Sequence, residues 1–497
     1  MKRTILFVFL LVGALKASAQ SRWDGSTLTV GASATTSSGT YAPLWLTSNR
    51  YGVGSVGPTS AYSRITLERS MSHDADKTWQ LGYGLDLVAA VHHERTLAVQ
   101  QAYAMARWKR LTLTLGSRQQ PMVTQNTELG SGELLWGINA RPIPQARLDI
   151  DWFPFPGTNG WWQWKLHGSY GFMTDGSWQK SWSRPDERYA TGTLYHEKAL
   201  YWQFGHTDVL PFTYEIGLRM ASQFGGTCYN VSTKRANDGQ PTTYHNSVNL
   251  RAFIDALLCS GSDATDGSNP NSSGNNLGSY IMQLRYHGKA WQAKAYWERF
   301  FEDHSMLTVQ YGIYDMLLGT EVSLPRNHVV STAVVEFMSS TDQSGAVYHD
   351  GTANLPAAMA GRDNYYNHLN YAGWEHYGFS IGSPFITSPL YNAALENRPN
   401  RLRFYNNRVK AWHIGLTGDP SDEWHWRFLT SFTRNWGTYD FPLSDCYNQT
   451  YLLTEATYRP RWAKGWRGTL GFAFDHGDLI GNSTGVQVTV AKQLNLK

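Results

Sequence analysis

After residue 20 the sequence lacks any apolar run that approaches the ~18 residues a membrane-spanning helix needs. It is also poor in charge, since 16% of its residues are charged, against about 25% in ordinary soluble proteins. Aromatic residues are abundant instead, with 21 Trp, 28 Tyr and 20 Phe. These properties exclude a helical membrane protein and favour an outer-membrane β-barrel or an exported soluble β-protein.

Cysteine is scarce as well. Cys228, Cys259 and Cys446 lie far apart and lack the spacing of a metal site. An odd number excludes a fully paired disulfide framework. One disulfide between two loops and three unpaired thiols both remain open.

The N-terminus has the pattern of a secretory signal peptide. Lys2 and Arg3 precede an apolar run over residues 5–15, and small residues at 17–19 form a cleavage site. We expect cleavage after Ala19, residues 1–19 as signal peptide and residues 20–497 as a single barrel with long surface loops. The cleavage site contains no cysteine, so a lipid anchor there is not indicated.

Removal of the signal peptide nearly abolishes the net charge. The chain is +4, with 43 basic and 39 acidic residues. Loss of Lys2, Arg3 and Lys16 leaves 40 basic residues against the same 39. The basic character of the full chain therefore gives no reason to expect a nucleic-acid partner.

Strict alternation over Trp162 to Phe172 predicts a β-strand with one apolar and one wet face. Trp162, Trp164, Leu166 and Phe172 share one parity, against polar or small residues on the other. Eleven residues tilted by about 45° span roughly 25 Å, the height of the apolar band of an outer-membrane barrel.

The same alternation recurs along the chain. Further strands are predicted near residues 79–87, 111–116, 214–220, 291–298, 424–433, 466–475 and 486–496. Their wet positions are rich in Gly, Ser, Thr and Gln, whereas a soluble sandwich would carry abundant Lys and Glu there. A hydrated lumen explains this composition, so we predict an all-β, transmembrane antiparallel barrel.

Three segments lack apolar periodicity and are predicted to be loops, at residues 119–145, 260–279 and 343–389. Long loops on one rim and tight turns on the other are typical of outer-membrane barrels, with the long loops facing outside.

Motifs for metal binding or catalysis are weak. His92 and His93 are adjacent and would point to opposite faces of a strand, so we expect a polar turn and no metal site. Asp263, Asp266, Gly267 and Asn269 resemble a fragment of a calcium loop but lack its spacing and final Glu. We therefore expect no cofactor and no metal. No nucleophile motif appears with its required context.

Aromatic residues beside Asn, Arg and His in the loop-like segments are a better functional lead. Aromatic faces stack on the C–H surface of sugars, while Arg and Asn bond hydroxyls and carboxylates. The alternative is that these aromatics only anchor the barrel at the membrane interface. The candidate polysaccharide-binding residues are Trp136, Arg141, Trp161, Tyr365, Tyr366, Tyr371 and Trp374.

Seven sequence strings stand out, in order along the chain: residues 43–52 (PLWLTSNRYG), 129–145 (LGSGELLWGINARPIPQ), 215–226 (EIGLRMASQFGG), 337–350 (FMSSTDQSGAVYHD), 365–385 (YYNHLNYAGWEHYGFSIGSPF), 406–416 (NNRVKAWHIGL) and 431–439 (SFTRNWGTY). Together they resemble the Wzi-type capsule assembly proteins in the form found in Bacteroidetes outer membranes. The resemblance implies a barrel of about 18 strands that acts as a lectin and helps to attach or organise capsular polysaccharide. It does not imply catalysis, and no sugar-contacting residue is carried over from the family.

We therefore predict a non-catalytic, monomeric protein of the cell outer membrane. Its partners would be capsular or exopolysaccharide, outer-membrane lipid and the barrel assembly machinery. An outer-membrane pore for small solutes or saccharides is the main alternative, with lumen charges such as Arg219, Lys294 and Glu298 setting selectivity. An outer-membrane hydrolase or acyltransferase, with a nucleophile and a base converging at the rim, is the third.

Overall fold

The barrel wall consists of 18 antiparallel strands. The computed structural model describes residues 24–231, 242–261, 273–302, 314–343, 362–395 and 400–496. Each wall strand pairs with the next wall strand along the chain, and the first pairs with the last, which closes the barrel. The wall strands are β1 (Ser26–Ser37), β2 (Thr59–Arg69), β3 (Trp79–Val91), β4 (Leu97–Trp108), β5 (Leu111–Ser117), β6 (Gln145–Pro154), β7 (Trp162–Phe172), β9 (Leu194–Phe204), β10 (Phe212–Phe224), β13 (Asn275–His287), β14 (Gln292–Glu302), β15 (Met316–Ser323), β16 (Thr332–Ser339), β19 (Val409–Gly418), β20 (Trp424–Gly437), β21 (Pro442–Tyr458), β22 (Trp466–Gly477) and β23 (Ser483–Asn495).

The remaining elements lie in the connections between wall strands. They are β8 (Tyr189–Thr191), β11 (Gly226–Val231), β12 (Thr242–Asn246), β17 (Glu375–His376), β18 (Phe379–Ser380), the helices α1 (Leu44–Thr47), α2 (Gly176–Trp182) and α3 (Leu250–Leu258), and the 3-10 helices Met71–Asp74 and Pro389–Ala394. Within the described ranges, no helix combines the length and apolarity that crossing a membrane would require.

The predicted fold class is confirmed, and the alternation explains how the wall forms. β7 has the predicted bounds, Trp162–Phe172. Its wet parity points inward, where His167 and Ser169 are buried, while Phe172 is exposed on the outer face. Outward Leu, Val, Trp and Phe side chains likewise remain exposed on β3, β4, β5, β22 and β23, because they lie on the face of the wall that points away from the lumen.

The connections differ in length between the two rims. One rim, here called the turn rim, carries the chain termini and short connections such as residues 109–110, 288–291 and 419–423. The other, the loop rim, carries the long connections 38–58, 118–144, 173–193, 225–274 and 340–408. This asymmetry places the loop rim on the outer side of an outer-membrane barrel.

The sequence predicted that the long loops face outside, but not all of them project outward. Described residues of three connections fold into the barrel and fill much of its lumen, and we call them the plug (residues 38–58, 118–144, 362–395 and 400–407). The plug packs against inward-facing strand residues in one continuous apolar core, which includes Trp45, Leu129, Leu134, Trp374, Phe385, Phe404, Leu317, Val334, Ala411, Leu453 and Ala473.

Inward carboxylates hold the backbone of the plug. Glu298 on β14 accepts a hydrogen bond from the Leu134 amide at 2.9 Å, and Glu336 on β16 accepts one from the Ser131 amide at 2.7 Å. Asp475 on β22 accepts one from the Leu44 amide at 2.8 Å. Irregular backbone leaves such amides without secondary-structure partners, so these bonds offset the cost of burying them.

A buried ion cluster joins the plug to the wall. Arg219 of β10 donates to Glu133 of the plug at 2.7 Å and also to Glu298. All three side chains are almost fully buried. The guanidinium group of Arg219 also lies 4.8 Å from the ring centroid of Trp136.

One loop element lies on the outside of the wall. In α3, Phe253 packs against Tyr170 and Phe224 with ring centroids 5.1 and 5.3 Å apart. The Lys198 ammonium group donates to the carbonyl oxygen of Ala256 at 3.1 Å. The exposed apolar side chains of this helix are Leu250, Ile254, Leu257 and Leu258, spaced to form one stripe that faces away from the protein.

Several predictions concern residues that the structure describes only in part. The signal peptide, its cleavage site and the fragment formed by Asp263, Asp266, Gly267 and Asn269 lie outside the described residues. The predicted loop at 260–279 is wrong at its end, because β13 begins at Asn275. All three cysteines are described, and none forms a disulfide.

Asp315 gives the plug an expected pH dependence. Its carboxylate accepts hydrogen bonds from the Gln343 amide at 2.6 Å and the Tyr365 hydroxyl at 2.9 Å. Burial raises the pKa of Asp315 to about 6. The stability that this group contributes is therefore full below about pH 4 and is lost as the pH rises to about 6.

We expect Asp315→Asn to remove this decline, because the amide does not titrate. The measurement is the denaturation midpoint, followed by tryptophan fluorescence between pH 4 and 7. Asp186→Asn, at an exposed loop-rim position, is the matched control. An unchanged pH slope in Asp315→Asn would contradict the assignment.

Candidate functional site

A cavity of about 330 Å³ lies between the plug and the inner faces of β6, β7 and β9. Its volume is at the lower end of the ~300–1,000 Å³ of small-molecule sites. The lining combines aromatic and charged side chains: Tyr51, Arg118, Trp136, Arg141, Arg147, Asp149, Lys165, His167, Tyr195, Glu197 and Tyr201.

The cavity contains both satisfied and unsatisfied charges. Arg147 pairs with Asp149 at 2.9 Å and with Glu197. Arg118, Arg141 and Lys165 have no carboxylate within 4 Å among the described residues. Arg118 donates to the Gln120 side chain at 3.2 Å, and Arg141 to the Val99 carbonyl at 3.0 Å. The cavity is therefore a positively charged site that suits an anionic or hydroxyl-rich ligand.

Aromatic rings support these cations. The Lys165 ammonium group lies 5.8 Å from the ring centroids of both Trp152 and Tyr201. The Arg118 guanidinium lies 5.6 Å from the ring of Tyr103. These contacts restrain the long side chains and lower the entropy lost when they bind a ligand.

Arg141 connects the cavity to the loop rim. Its guanidinium lies 4.5 Å from the ring centroid of Tyr377, and the Arg95 guanidinium lies 5.4 Å from the same centroid. Arg95 also donates to the Tyr377 hydroxyl at 2.8 Å. Burial lowers the pKa of Arg141. A smaller recess at the loop rim shares Arg141 with the cavity.

Arg118 connects the cavity to the opposite end of the barrel. It also lines a second cavity of about 560 Å³, formed by β2, β3 and β4 next to the turn rim. Shared residues thus join the cavity to one space at the loop rim, through Arg141, and to one next to the turn rim, through Arg118.

The structure separates the predicted site residues into three groups. Trp136 and Arg141 both line the cavity. Trp161 lies at the turn rim with 40% of its surface exposed, 6.0 Å from the ring of His206. Trp161 therefore does not line the cavity with Trp136 and Arg141.

The third group, which was predicted from loop-like segments, lies inside the plug. Tyr365, Tyr366, Tyr371 and Trp374 are each 2% exposed or less. Trp374 donates its indole N–H to the Leu135 carbonyl at 2.6 Å, and Tyr371 its hydroxyl to the Gly225 carbonyl at 3.1 Å. All four side chains therefore belong to the interior of the protein and not to its surface.

Several residues that line the cavity were not among the predicted site residues. Lys165 and His167 are on the polar parity of β7. The alternation predicts that this parity faces the lumen, but it does not by itself indicate that these two residues bind a ligand. Arg118 directly follows β5, and Tyr195 and Tyr201 share the inward parity of β9. Charged and aromatic residues on the inward parity of neighbouring strands are the signal that could have identified them.

A serine–histidine pair lies in the core without the remainder of a catalytic triad. His413 Nδ1 is 2.7 Å from the Ser431 hydroxyl, and His413 Nε2 is 2.7 Å from the Leu129 carbonyl oxygen. A backbone carbonyl thus occupies the position that a carboxylate holds in a triad. Both side chains are also buried at 1% exposure or less, away from any cavity described above.

Eighteen strands in a closed antiparallel wall, with apolar residues outward and short turns on one rim, define the fold of an outer-membrane β-barrel. No protein-family model matches the sequence, and no curated protein sequence matches it.

Among solved structures, the chain is similar to Wzi from Escherichia coli, described as an outer-membrane protein involved in group 1 capsule assembly and a carbohydrate-binding β-barrel. The alignment covers 99% of this chain and 87% of that chain, with 12% identity and a TM-score of 0.56. OpdL of Pseudomonas aeruginosa aligns with 95% of this chain and 99% of its own, at 9% identity and a TM-score of 0.46. OprD of the same organism aligns over 96% and 95%, at 9% identity and a TM-score of 0.44. The likeness to Wzi supports a Wzi-like barrel fold.

Proposed function

We propose that this protein is a non-catalytic outer-membrane barrel that binds capsular or exopolysaccharide and helps to attach or assemble it at the cell surface. The observation that carries the proposal is the cavity beside the plug, in which Trp136 and three cations without carboxylate partners converge. The similarity of the fold to Wzi, which is described as a carbohydrate-binding β-barrel, adds support.

The chemistry of the cavity fits a sugar polymer with acidic groups. Aromatic rings pack against the C–H faces of sugar rings, and guanidinium groups bond carboxylates and hydroxyls. In the cavity, Trp136 would supply the apolar contact, while Arg118, Arg141 and Lys165 would supply charge-assisted hydrogen bonds. A polymer that engages several copies of the barrel at once would gain avidity from weak individual contacts.

We expect Arg141→Gln to weaken polysaccharide binding. A hydrogen bond from a charged donor is worth about 1.5–3 kcal/mol, so its loss should reduce affinity by roughly tenfold or more. The measurement is binding of the purified protein to polysaccharide from its own host. Lys289→Gln, at an exposed position on the turn rim, removes the same charge and should leave affinity unchanged. Equal affinities for both variants would refute the assignment of this cavity.

A pore for small solutes or saccharides is the second candidate function. The observation that favours it is that Arg141 and Arg118 are shared between the cavity and the spaces near the two rims. Planar-bilayer conductance separates the two functions, because a plugged lectin should show no steady channel. A steady conductance that changes with Arg118→Gln would favour the pore.

We further propose that cleavage after Ala19 releases a single unit, residues 20–497, which the barrel assembly machinery inserts as a monomer. Mass spectrometry of the N-terminal peptide from purified outer membranes tests the cleavage site. Light scattering of the detergent-solubilised protein tests the oligomeric state.

A further inference from the structure

Three basic residues form a patch on the outer wall at the loop rim, here called the basic rim patch (Arg408, Lys410 and Arg434). Lys410 of β19 and Arg434 of β20 are direct register partners. Both are exposed, whereas the residues that follow and precede them, Ala411 and Thr433, are buried inside the barrel. The two cations therefore lie side by side on the outward face.

The patch lacks an acidic partner. No carboxylate lies within 4 Å of these three cations among the residues that the structure describes. Arg434 lies over the Trp436 ring at 5.4 Å and Arg408 over the Tyr439 ring at 4.0 Å. Like charges directly opposite each other destabilise a pair of strands. An external anion would remove this repulsion.

A recess adjoins the patch. Its volume is about 550 Å³, and its lining includes Phe337, Asp342, Arg408, Lys410 and Trp436. Asp342 is the carboxylate among these residues, so the recess has more positive than negative groups. This balance favours an anion near the two basic side chains.

Aromatic residues continue the outward face toward the middle of the wall. Trp412 lies two residues from Lys410, and Phe432 two residues from Arg434, so each lies about 7 Å further along its strand. Trp412 and Phe432 are register partners and are 55% and 50% exposed. Phe337 packs against Trp412 with ring centroids 5.0 Å apart.

This arrangement matches a lipid in which a charged headgroup lies above apolar chains. We propose that the basic rim patch and the aromatic residues beneath it bind a phosphate-bearing lipid of the outer leaflet. Lys410 and Arg434 contact the phosphate, and Trp412 and Phe432 contact the acyl chains. Basic residues at the membrane surface attract anionic headgroups, and aromatic residues are enriched at this level of the membrane.

A second outward lysine at the loop rim shows why the patch is distinctive. Lys198 of β9 also lies on the outer face, but it donates to the carbonyl oxygens of Ala256 and Leu257 at the end of α3. The protein thus satisfies Lys198 internally, while it leaves Lys410 exposed next to another cation.

The test uses the full-length protein in detergent, with lipid A and dephosphorylated lipid A as probes and native mass spectrometry as the readout. We expect the wild type to retain lipid A and to lose the dephosphorylated form. The double variant Lys410→Gln/Arg434→Gln should bind lipid A roughly 10- to 30-fold more weakly. Lys289→Gln/Lys464→Gln, at exposed turn-rim positions, is the charge-matched control and should bind normally. Heat-modifiable migration on gels verifies that each variant forms a barrel.

Three results would overturn the proposal. The first is equal lipid A binding by the double variant and the control. The second is displacement of lipid A by inorganic phosphate at an equal concentration, since the site would then recognise phosphate without the lipid. The third is a loss of host polysaccharide binding in the double variant with lipid A binding intact, which would assign the patch to the polymer.

Discussion

Replacement of Arg219 with methionine is expected to detach the plug from the wall while the 18 strands remain paired. The substitution leaves Glu133 and Glu298 buried next to each other without their shared cation. Breaking a buried ion pair by removing one partner costs about 3–5 kcal/mol. The cost falls on the contact between plug and wall, because Glu133 belongs to the plug and Glu298 to the wall.

The measurement is hydrogen exchange of the backbone at residues 129–138, combined with bilayer conductance. We expect faster exchange in this segment and a conductance that the wild type lacks. Arg107→Met is the matched control, because Arg107 also faces the lumen and pairs with Asp151 at 2.6 Å. That pair is solvent-accessible, with side chains 29% and 48% exposed, so its loss should cost at most about 1 kcal/mol.

A compensating variant separates charge from packing. Arg219→Met combined with Glu133→Gln and Glu298→Gln removes the buried charges, and we expect it to restore much of the protection. If the triple variant exchanges as fast as the single one, unpaired charge is not what releases the plug.

Trp374→Ala is expected to have an effect of similar size by creating a cavity within the plug. The side chain is fully buried, and its indole N–H donates to the Leu135 carbonyl at 2.6 Å. Truncation of a buried tryptophan costs about 3–5 kcal/mol, and the orphaned carbonyl adds a further loss. The plug segments 118–144 and 362–395 should therefore loosen together.

Limited proteolysis of the protein in detergent tests this expectation. New cleavage should appear in the plug segments while the wall stays resistant to denaturation by detergent. Trp462→Ala is the control, because Trp462 lies in the connection between β21 and β22 and is 83% exposed. Equal protease resistance in both variants would contradict the expectation that Trp374 stabilises the core of the plug.

The strands were predictable because alternation is a local signal. The bounds of β7 and the start of β22 at Trp466 follow from the parity of apolar residues alone. The plug was not predictable in this way. The segment around Tyr365 and Trp374 is rich in Asn, Tyr and Gly and has no apolar period, so it has the composition of an exposed loop.

That segment lies in the interior because it forms hydrogen bonds with residues far away in the sequence. The amide of Tyr366 donates to Glu302 at 2.5 Å, and Asn407 donates to the Tyr365 carbonyl at 2.8 Å. The candidate site depended on the same long-range information. Trp136 and Arg141 were found from local composition, whereas Lys165 and Tyr201 reach the cavity only because β7 and β9 pair side by side.

The plug also constrains the order in which the molecule can form. Its first segment follows β1, yet Leu44 bonds Asp475, and the Leu46 carbonyl accepts from Gln487 at 3.4 Å. These partners lie more than 400 residues later in the chain. Such distant contacts form slowly, because a long loop must close before they contribute. The first plug segment therefore lacks these two contacts until β22 and β23 have formed, and a chain truncated before β22 would leave it held only by its earlier partners, such as Glu455 of β21.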